Sequence, residues 1–361
     1  MTTISDILEL SYGKALKESD RDGGDVPVVG SGGVVGGHSA GITDAPTIVV
    51  GRKGSIGSVT WVDGPAWPID TAYFVKPKRE DLDRRWAYWM LRSLRMETMN
   101  KSAAVPGLNR DDVYRLNVTL PPLPEQRRIA AILDHADALR AKRRQILTNL
   151  DSLTQSIFTD MFAEGDYPSI RASTLMPHMR NGLSPATAGS HEAQVLTLSS
   201  VTRGSFEPSA VKSGVFAIEP PADKRVTDRD FLMCRGNGNK ALVGVGTYSR
   251  ENRSDLVFPD TVIAGAVDTT LVTLSFLEAA WKQKATRSQI EAVARTTNGT
   301  YKVNQKTLGR VILAVPPLDL QEAFGTRTAR IGAQQSVVLR ASRSDDELFA
   351  SLQSRAFRGE L

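Results

Sequence analysis

One pattern occurs twice in this chain, as GLNRDDVYRLNVTLPPLPEQRRI (Gly107–Ile129) and again as KVNQKTLGRVILAVPPLDLQEAF (Lys302–Phe324). Identical residues fall in register, among them Asn109 with Asn304, Pro121–Pro122 with Pro316–Pro317, and Gln126 with Gln321. Each copy runs from a polar loop through a short apolar segment to a Pro-Pro pair. An internal repeat of this kind predicts that the chain is built twice on one structural plan.

A long amphipathic helix is predicted after each Pro-Pro pair, because proline can neither continue a sheet nor sit inside a helix. Apolar residues recur at steps of three and four in both helices, which is the spacing of a coiled coil. The first stripe consists of Ile132, Ala136, Leu139, Ile146, Leu150, Leu153 and Ile157, and the second of Leu320, Phe324, Ile331, Val338, Ala341, Leu348 and Leu352. We therefore expect the two helices to pack against each other and to bury these stripes. Polar residues such as Arg143 and Asp345 interrupt the stripes, and they either fix the register or face solvent where the helices diverge.

The residues ahead of each helix are rich in glycine, proline and short β-type runs such as VPVVGSGGVV and TLVTLSFL. They predict two mixed α/β globules, each with one or two helices ahead of its final strand, near Leu82–Met99 and Leu277–Ala294. The predicted fold is of the α+β class: two mixed α/β domains separated by two long antiparallel helices that form a coiled coil, with a pseudo-twofold internal repeat. The expected boundaries are residues 1–120 for the first domain, 121–162 for the first spacer helix, 163–315 for the second domain and 316–361 for the second spacer helix.

Charge and composition limit the classes of function. The chain has a formal net charge of +5 at pH 7 and a pI of about 9.3, which favours a polyanionic partner. Its single cysteine, Cys234, cannot form an internal disulfide, and together with the lack of a secretory leader it fits the cytoplasm. No apolar run approaches the roughly 20 residues that span a bilayer, so we expect no membrane role.

Motifs for catalysis are missing from the sequence. It contains no GxxxxGKS or GxxxxGKT phosphate loop, no dinucleotide-binding glycine fingerprint, and no Asn- or Asp-Pro-Pro-aromatic string of the kind found in amino-methyltransferases. The histidines lack metal-ligand spacing: His38, His135, His178 and His191. We therefore assign no catalytic residue and no metal ligand, and we expect this chain to bind no cofactor.

Four segments together resemble one known family. They are PPLPEQRRIAAILDHADAL (Pro121–Leu139), the closing SLQSRAFRGEL (Ser351–Leu361), RKGSIGSV from Arg52 and RGNGNKALVGVG from Arg235. Over essentially its whole length the chain resembles the specificity subunit of type I restriction-modification systems. Its second helix opens with PPLDLQEAF rather than a second PLPEQRRI, which leaves open whether both helices dock partners equally.

The resemblance implies two target-recognition domains that each read one half of a split site in double-stranded DNA, and helices that dock two methyltransferase subunits. It also implies that S-adenosylmethionine and adenine methylation belong to the methyltransferase subunits, and ATP with magnesium to restriction subunits that can join the complex. Because the two globules differ in sequence, the two half-sites should differ, so the expected target is bipartite and asymmetric. Two alternatives belong to other classes: a single-chain DNA methyltransferase or nuclease with unrecognised motifs, and a coiled-coil adaptor that binds only proteins.

Basic and amide side chains in glycine-rich or polar loops are the candidates for DNA contact, since arginine can fork onto guanine, and asparagine can pair with adenine. In the first half they are Lys14, Arg52, Lys53, Ser55, Asn109 and Arg110, and in the second half Arg235, Asn237, Asn239, Lys240, Asn298, Tyr301, Lys302, Asn304 and Lys306. The alternative is that these loops are tight hairpins or solvated turns whose glycine and asparagine residues only satisfy unusual backbone angles.

The exposed sides of the two long helices are the expected docking surface for the methyltransferase subunits. The residues that flank the apolar stripes there are Glu125, Gln126, Arg127, Arg128, Asp134, Arg140, Phe357, Arg358 and Glu360. The alternative is a solvated helix face, because charged faces of helices usually contact only water.

Overall fold

The computed structural model describes residues 2–44, 46–99, 107–297 and 299–361. The chain divides into two compact units. Unit 1 comprises the residues up to Arg144 together with Arg340–Leu361, and unit 2 comprises Gln145–Leu339. Each unit therefore contains one globule and a part of both long helices.

Over its described residues, unit 1 is built from two sheets, a short strand pair and three α-helices of its own. Its elements are β1 (Thr2–Thr3), α1 (Ile4–Ile7), β2 (Leu8–Tyr12), β3 (Val26–Gly30), β4 (Gly33–His38), β5 (Thr47–Gly51), β6 (Val59–Val62), β7 (Trp67–Pro68), β8 (Ala72–Pro77), α2 (Arg84–Ser93), α3 (Arg110–Tyr114), β9 (Asn117–Val118) and the first part of α4 (Leu123–Phe162). The strand orders are β2-β8-β5-β6, β4-β3-β7 and β1-β9.

Unit 2 repeats this arrangement with additional elements. They are β10 (Ser169–Arg171), α5 (Ala172–Leu175), β11 (His178–Asn181), β12 (His191–Leu196), α6 (Ser199–Thr202), β13 (Val211–Phe216), β14 (Arg225–Val226), β15 (Asp230–Cys234), β16 (Gly236–Asn237), β17 (Gly246–Tyr248), β18 (Arg253–Val257), β19 (Val262–Ala266), α7 (Leu274–Lys282), α8 (Lys284–Val293), β20 (Arg295–Thr297), β21 (Thr300–Lys302), α9 (Gln305–Leu308), β22 (Ile312–Ala314) and the first part of α10 (Leu318–Arg358). The strand orders are β11-β19-β15-β17, β13-β12-β18-β14, β16-β21-β20 and β10-β22.

The two units share one topology. The four-stranded sheet β2-β8-β5-β6 corresponds to β11-β19-β15-β17, and both are antiparallel throughout. In the second sheet, β3 pairs in parallel with β7, and β12 pairs in parallel with β18. The repeat in the sequence is thus a repeat of the fold, and the predicted fold class is confirmed.

In unit 1, α4 packs against both α2 and the end of α10. Ile129, Ala130 and Leu133 of α4 are buried in one core with Trp89 of α2 and Phe349 of α10. This core gains from the burial of large aromatic rings, which contribute most of the apolar area in such contacts.

In unit 2, the end of α4 packs against the beginning of α10. The Phe158 and Phe162 rings of α4 both have their centroids 5.7 Å from that of Phe324 of α10, and Phe276 of α7 adjoins both. The start of α4 therefore meets the end of α10 in unit 1, and the end of α4 meets the start of α10 here. The two helices run antiparallel and contact each other, as expected.

The apolar stripe expected to be buried on α4 is only partly correct, because Ala136 and Ile157 pack against the cores but three of its residues are exposed. Leu139, Ile146 and Leu153 are between 40% and 49% exposed, whereas Ile129 and Leu133, outside the expected stripe, are almost fully buried. The helix faces two neighbours at once, the globule and α10, so its buried face lies between them. A spacing of three and four shows that apolar residues recur, but it cannot show which of two adjacent faces contacts the globule.

The stripe expected on α10 is only partly correct. Phe324, Ile331 and Val338 are buried, but Leu320 and Leu348 are exposed.

The polar residues that interrupt the two stripes pair with each other. Arg143 of α4 donates a hydrogen bond to the Asp345 carboxylate of α10. One turn away, Arg140 donates to Asp346 at 2.6 Å and lies over the Phe349 ring at 4.3 Å. Ion pairs at least partly exposed to water add little free energy, but these form only when the two helices are in this register. Of the two interpretations left open by the sequence, the structure favours the fixing of register.

Within the described residues, none of the helices is at once long enough and apolar enough to span a lipid bilayer.

Candidate nucleic-acid interface

A basic loop is built in the same way in both units. It follows β5 in unit 1 and β15 in unit 2, and begins with Arg52 and Arg235, respectively. Arg52 donates its backbone N–H to the carbonyl of Thr71 at 2.9 Å and its guanidinium to the carbonyl of Asp70 at 3.0 Å. Arg235 makes the same two contacts, with Thr261 at 2.8 Å and Asp260 at 3.1 Å. The two arginines are therefore structural counterparts.

The Asp-Thr turn that holds each arginine was missed at the sequence level. Asp70–Thr71 stands directly before β8, and Asp260–Thr261 stands directly before β19. Each turn also has a proline within two residues of its aspartate. A comparison of the two halves beyond the Pro-Pro repeat could have revealed this pair.

Both loops close on a glycine with a positive φ. Gly57 has φ +71° and donates its N–H to the Gly51 carbonyl at 2.8 Å, and Gly244 has φ +67° and donates to the Cys234 carbonyl at 2.7 Å. A Cβ on Gly57 would lie 2.4 Å from the backbone nitrogen of Glu97. Only glycine fits here, because the backbone angle and the close contact both exclude a side chain.

Replacing Gly57 with alanine should lower the free energy of unfolding of unit 1 by about 1–3 kcal/mol, since it adds backbone strain and a clash. The measurement is urea-induced unfolding followed by circular dichroism. Gly64→Ala is the matched control, because a Cβ there meets nothing within 4 Å. Gly23→Ala adds a second control with a positive φ of 76° but open space, which separates strain from clash. Equal unfolding midpoints for the Gly57 and Gly64 variants would contradict this account.

The second candidate segment of each unit lies against the basic loop. In unit 1, Lys53 pairs with Gly107 in an isolated antiparallel β-bridge, and Leu108 donates its backbone N–H to the Arg52 carbonyl at 2.9 Å. In unit 2, β16 pairs with β21 so that Gly236 faces Lys302 and Asn237 faces Tyr301. The structure thus brings together candidates that are about 55 to 65 residues apart in each half of the sequence.

A cation–aromatic cluster joins the two segments of unit 1. The Arg52 and Arg110 guanidinium groups lie over the Tyr12 ring, at 4.8 Å and 5.1 Å from its centroid. Tyr12 itself is 48% exposed and packs beside Tyr73 at 5.1 Å between centroids. The stacking holds the two arginines in place at the surface. Sequence reasoning missed Tyr12, whose only signal was its position two residues before Lys14.

The candidate asparagines have local structural roles. Asn109 and Asn304 cap α3 and α9, and their side-chain oxygens accept hydrogen bonds from the backbone N–H groups of Asp111 and Thr307. Asn239 likewise accepts from the backbone N–H of Ala241 at 3.0 Å, and Asn237 from that of Asn239 at 2.8 Å. These bonds match the alternative in which the asparagines satisfy turns and caps. A contact between these residues and DNA stays a prediction.

The other candidates differ in exposure. The exposed ones, including three of these asparagines, are Lys14, Lys53, Ser55, Asn109, Asn239, Lys240, Lys302, Asn304 and Lys306. Arg52, Arg110, Arg235, Asn237 and Tyr301 are half-buried. Asn298 lies outside the described residues.

Gln126 is not on an exposed docking surface, which corrects the sequence-based expectation. Its side chain is fully buried, accepts from the backbone N–H of Asp83 at 2.8 Å, and donates to the carbonyls of Asp81 and Pro121 at 2.9 Å. Asp83 caps α2, so the hydrogen bonds of the Gln126 amide link the beginning of α4 to the beginning of α2. The correction follows from helical spacing, because position 126 shares a face with the buried Leu133.

Gln321, its counterpart in the repeat, makes the same set of bonds in unit 2. It is also fully buried, accepts from Thr273 at 2.8 Å, and donates to Leu271 at 3.2 Å and to Pro316 at 2.8 Å. Thr273 caps α7.

The other docking candidates differ in the contacts that they make within unit 1. Asp134 accepts from Arg85 at 2.7 Å and from Trp89 at 2.8 Å, so it ties α4 to α2. Phe357 packs beside Trp86. The remaining pairs lie at the surface: Glu125 with Arg128, Arg127 with Asp83, Arg140 with Asp137 and Asp346, and Arg358 with Glu360.

An apolar groove runs between α4 and α10 in unit 1. Its volume is about 440 Å³, and it is lined by Arg128, Ala131, Ile132, His135, Ala136, Leu139, Asp345, Leu348 and Leu352. Leu139 and Leu348 are exposed there. Part of each stripe that the sequence predicted to be buried thus lines this groove instead.

The comparisons with known proteins agree with one another. Residues 1–150 match the family model of the type I restriction modification DNA specificity domain. The chain is similar to the type I restriction enzyme EcoKI specificity subunit of Escherichia coli (strain K12), with 22% identity over 291 residues. That alignment covers 74% of this chain and 62% of the E. coli protein, so the chain spans less than two thirds of the length of this relative.

Two solved structures are similar to this chain to different extents. The type I restriction-modification S subunit from M. genitalium is 16% identical, with a TM-score of 0.59, and the alignment covers 98% of this chain and 95% of that one. The HsdS subunit from Thermoanaerobacter tengcongensis is 15% identical, with a TM-score of 0.34, over 88% of this chain and 82% of that one. At the first of these values the overall fold is the same.

Proposed function

Since the chain belongs to the DNA specificity family of type I restriction-modification systems, we propose that it selects the DNA sequence on which such a system acts. Each unit reads one half of a bipartite target. The observation that carries the proposal is the pair of basic loops, which are held by the same backbone contacts but present different side chains, RKGS in unit 1 and RGNGNK in unit 2. Equal scaffolds with unequal side chains suit two different half-sites, so the target is asymmetric.

The arginines that open these loops are suited to reading bases. A carbonyl and an aromatic ring hold the Arg52 guanidinium, so little side-chain entropy is lost when it pairs with guanine O6 and N7. The exposed Lys53, Lys240, Lys302 and Lys306 add phosphate contacts that give affinity without sequence preference. Base contacts and phosphate contacts thus come from neighbouring residues of the same loops.

Specificity subunits of this family are in general not catalysts themselves. We propose that S-adenosylmethionine-dependent adenine methylation is performed by two methyltransferase partners, and ATP- and magnesium-dependent restriction by restriction subunits. The only thiol of this chain fits a structural role, because burial raises the pKa of Cys234 to about 11 and keeps it protonated. Since its substrate is chromosomal DNA, the complex acts in the cytoplasm.

The groove between α4 and α10 is the proposed contact for a methyltransferase subunit. An exposed apolar surface of this kind is suited to an amphipathic helix of a partner. Leu139→Glu combined with Leu348→Glu should reduce co-purification of the methyltransferase subunit at least tenfold, because both charges would be buried on docking.

Ala141→Glu on the same helix is the matched control for this experiment. Ala141 is exposed and lies two residues from Leu139, on a different face of α4. The chain should stay folded in every variant, since all of these positions are open to solvent. Undiminished co-purification of the double variant would remove the groove from the docking surface.

The test of the function as a whole is to map modified adenines in the host genome with and without this chain. A gapped asymmetric motif should lose its methylation when the chain is absent. In vitro, the chain in complex with its methyltransferase partner should bind that motif, and its affinity should fall steeply as the salt concentration rises. Equal binding to scrambled duplexes would count against the proposal, and methyl transfer by the isolated chain would favour a single-chain enzyme.

A further inference from the structure

Two apolar side chains stand next to each other at the surface of β4 in unit 1. Val34 is 61% exposed and Val35 is 45% exposed. They belong to the hairpin of β3 and β4, and β4 is an edge strand in the order β4-β3-β7. Exposed apolar pairs on an edge strand promote aggregation and are usually covered by a partner.

The turn of this hairpin is fixed against the basic loop. Ser58, at the end of the loop, donates a hydrogen bond from its hydroxyl to the Ser31 carbonyl in the turn. A Cβ on Gly32 would contact the Ser55 hydroxyl at 3.4 Å. The apolar pair therefore has a defined position next to the residues proposed to contact DNA.

Val35 of this pair also lies near the Asp-Thr turn that holds Arg52. A Cβ on Gly30 would lie 3.4 Å from Cγ1 of Val35 and 3.6 Å from Oγ1 of Thr71. Arg21 donates a guanidinium hydrogen bond to the Val35 carbonyl at 2.9 Å. Three basic side chains therefore lie near the hairpin: Arg21, Arg52 and Lys53. The exposed acidic residue of the Asp70–Thr71 turn is Asp70.

The shape of the hairpin suits a groove of DNA. Glycines surround the two valines, at Gly32, Gly33, Gly36 and Gly37, so few side chains widen the ribbon. A two-stranded ribbon fits the major groove of B-DNA, which is about 12 Å wide and displays the 5-methyl group of thymine. Apolar side chains are the groups that recognise this methyl group.

We propose that the β3–β4 hairpin enters the major groove at the half-site of unit 1, where Val34 and Val35 contact thymine methyl groups. The inference rests on the proposed function and extends it to a substrate feature. In unit 2 the connection between β12 and β13 differs, because it spans residues 197–210 and contains α6. The apolar readout is therefore assigned to one half-site only.

The experiment replaces each thymine of the bipartite site, one at a time, with deoxyuridine, which removes only the methyl group. The full-length chain in complex with its methyltransferase partner is titrated with these duplexes. At one or two positions of a single half-site the native complex should lose about fourfold in affinity per methyl group. Because the protein is unchanged, this arm does not depend on the folding of a variant.

A protein variant then tests whether the hairpin is the part of the chain that contacts this methyl group. The Val34→Ala/Val35→Ala complex should bind the thymine duplex more weakly, and it should show no further loss at the sensitive deoxyuridine positions. Ile312→Ala in unit 2 is the matched control, since it truncates an exposed apolar strand residue outside the hairpin. Thermal unfolding of each complex confirms that the variants are folded.

The outcomes separate this inference from the proposed function. Failure of the native complex to prefer any site would overturn the proposed function. A site-specific native complex that is indifferent to deoxyuridine, or a site without a required thymine, would overturn the hairpin inference alone. Loss of methyltransferase binding in the valine variant, with base preference intact, would show that the hairpin contacts protein and would also overturn it.

Discussion

Arg52→Ala should remove discrimination at the base pair it reads in one half of the DNA target, and Arg235→Ala should do the same in the other half. Each change removes a guanidinium that is oriented by a carbonyl, and in unit 1 also by the Tyr12 ring. Loss of one base-reading arginine costs about 1–3 kcal/mol, or roughly fivefold to more than a hundredfold in affinity for the native site. The measurement is competition binding on duplexes that carry substitutions in one half-site at a time.

The pattern of loss matters more than its size. In the Arg52 variant, substitution of one base pair in one half-site should no longer reduce binding, while the other half-site remains fully discriminated, and the Arg235 variant should show the reverse. Lys302→Ala should instead weaken binding to every duplex by a similar factor and lower the salt dependence, as a phosphate contact does.

Arg79→Ala is the matched control for charge. Arg79 is partly exposed and forms an ion pair with Asp81 at 2.7 Å, outside the basic loop. Its removal changes the net charge by the same amount as that of Arg52, so only a general electrostatic effect should remain. Unaltered base preference in both the Arg52 and the Arg235 variants would leave the coiled-coil adaptor as the better interpretation.

The repeat in the sequence predicted the fold because it combines two strong local signals. A Pro-Pro pair ends a strand, and a run of apolar residues at helical spacing follows it. These signals correctly placed the two long helices. They could not identify the Asp-Thr turns, because the hydrogen bonds from each turn to its arginine connect segments that are distant in the sequence.

The candidate site was harder to predict for a physical reason. A glycine or an asparagine in a loop can serve the backbone or a ligand, and the sequence looks the same in both cases. Asn109 and Asn304 proved to be helix caps, and Tyr12 was overlooked because its neighbours Arg52 and Arg110 come from other segments. The prediction of which face of α4 is buried failed for a related reason. Helical periodicity does not identify the neighbour that each face contacts.

Gln126→Leu should lower the free energy of unfolding of unit 1 by about 3 kcal/mol. Leucine has nearly the same volume, so packing is preserved, but the N–H of Asp83 and the carbonyls of Asp81 and Pro121 lose their partner. Each buried polar group left without a hydrogen bond costs about 1–3 kcal/mol, and partial access of water to the ends of this cluster lowers the sum. The measurement is equilibrium unfolding in urea.

The repeat provides an internal duplicate of this experiment. Gln321→Leu removes the equivalent bonds to Thr273, Leu271 and Pro316, so it should destabilise unit 2 by a similar amount. Gln145→Leu is the control on α4, because the Gln145 side chain is exposed and donates a hydrogen bond to Asn149 of the same helix. It should leave the free energy of unfolding within about 0.5 kcal/mol of the native value.

A change of charge at the same position tests the direction of the bonds. In Gln126→Glu the carboxylate could still accept from Asp83, but it would face the carbonyl oxygens of Asp81 and Pro121 without a proton to donate. We therefore expect a greater loss of stability than for leucine at neutral pH, because an uncompensated charge is buried. If instead the leucine and glutamate variants have the same free energy of unfolding as Gln145→Leu, the hydrogen bonds of this amide do not stabilise the packing of α4 on the globule.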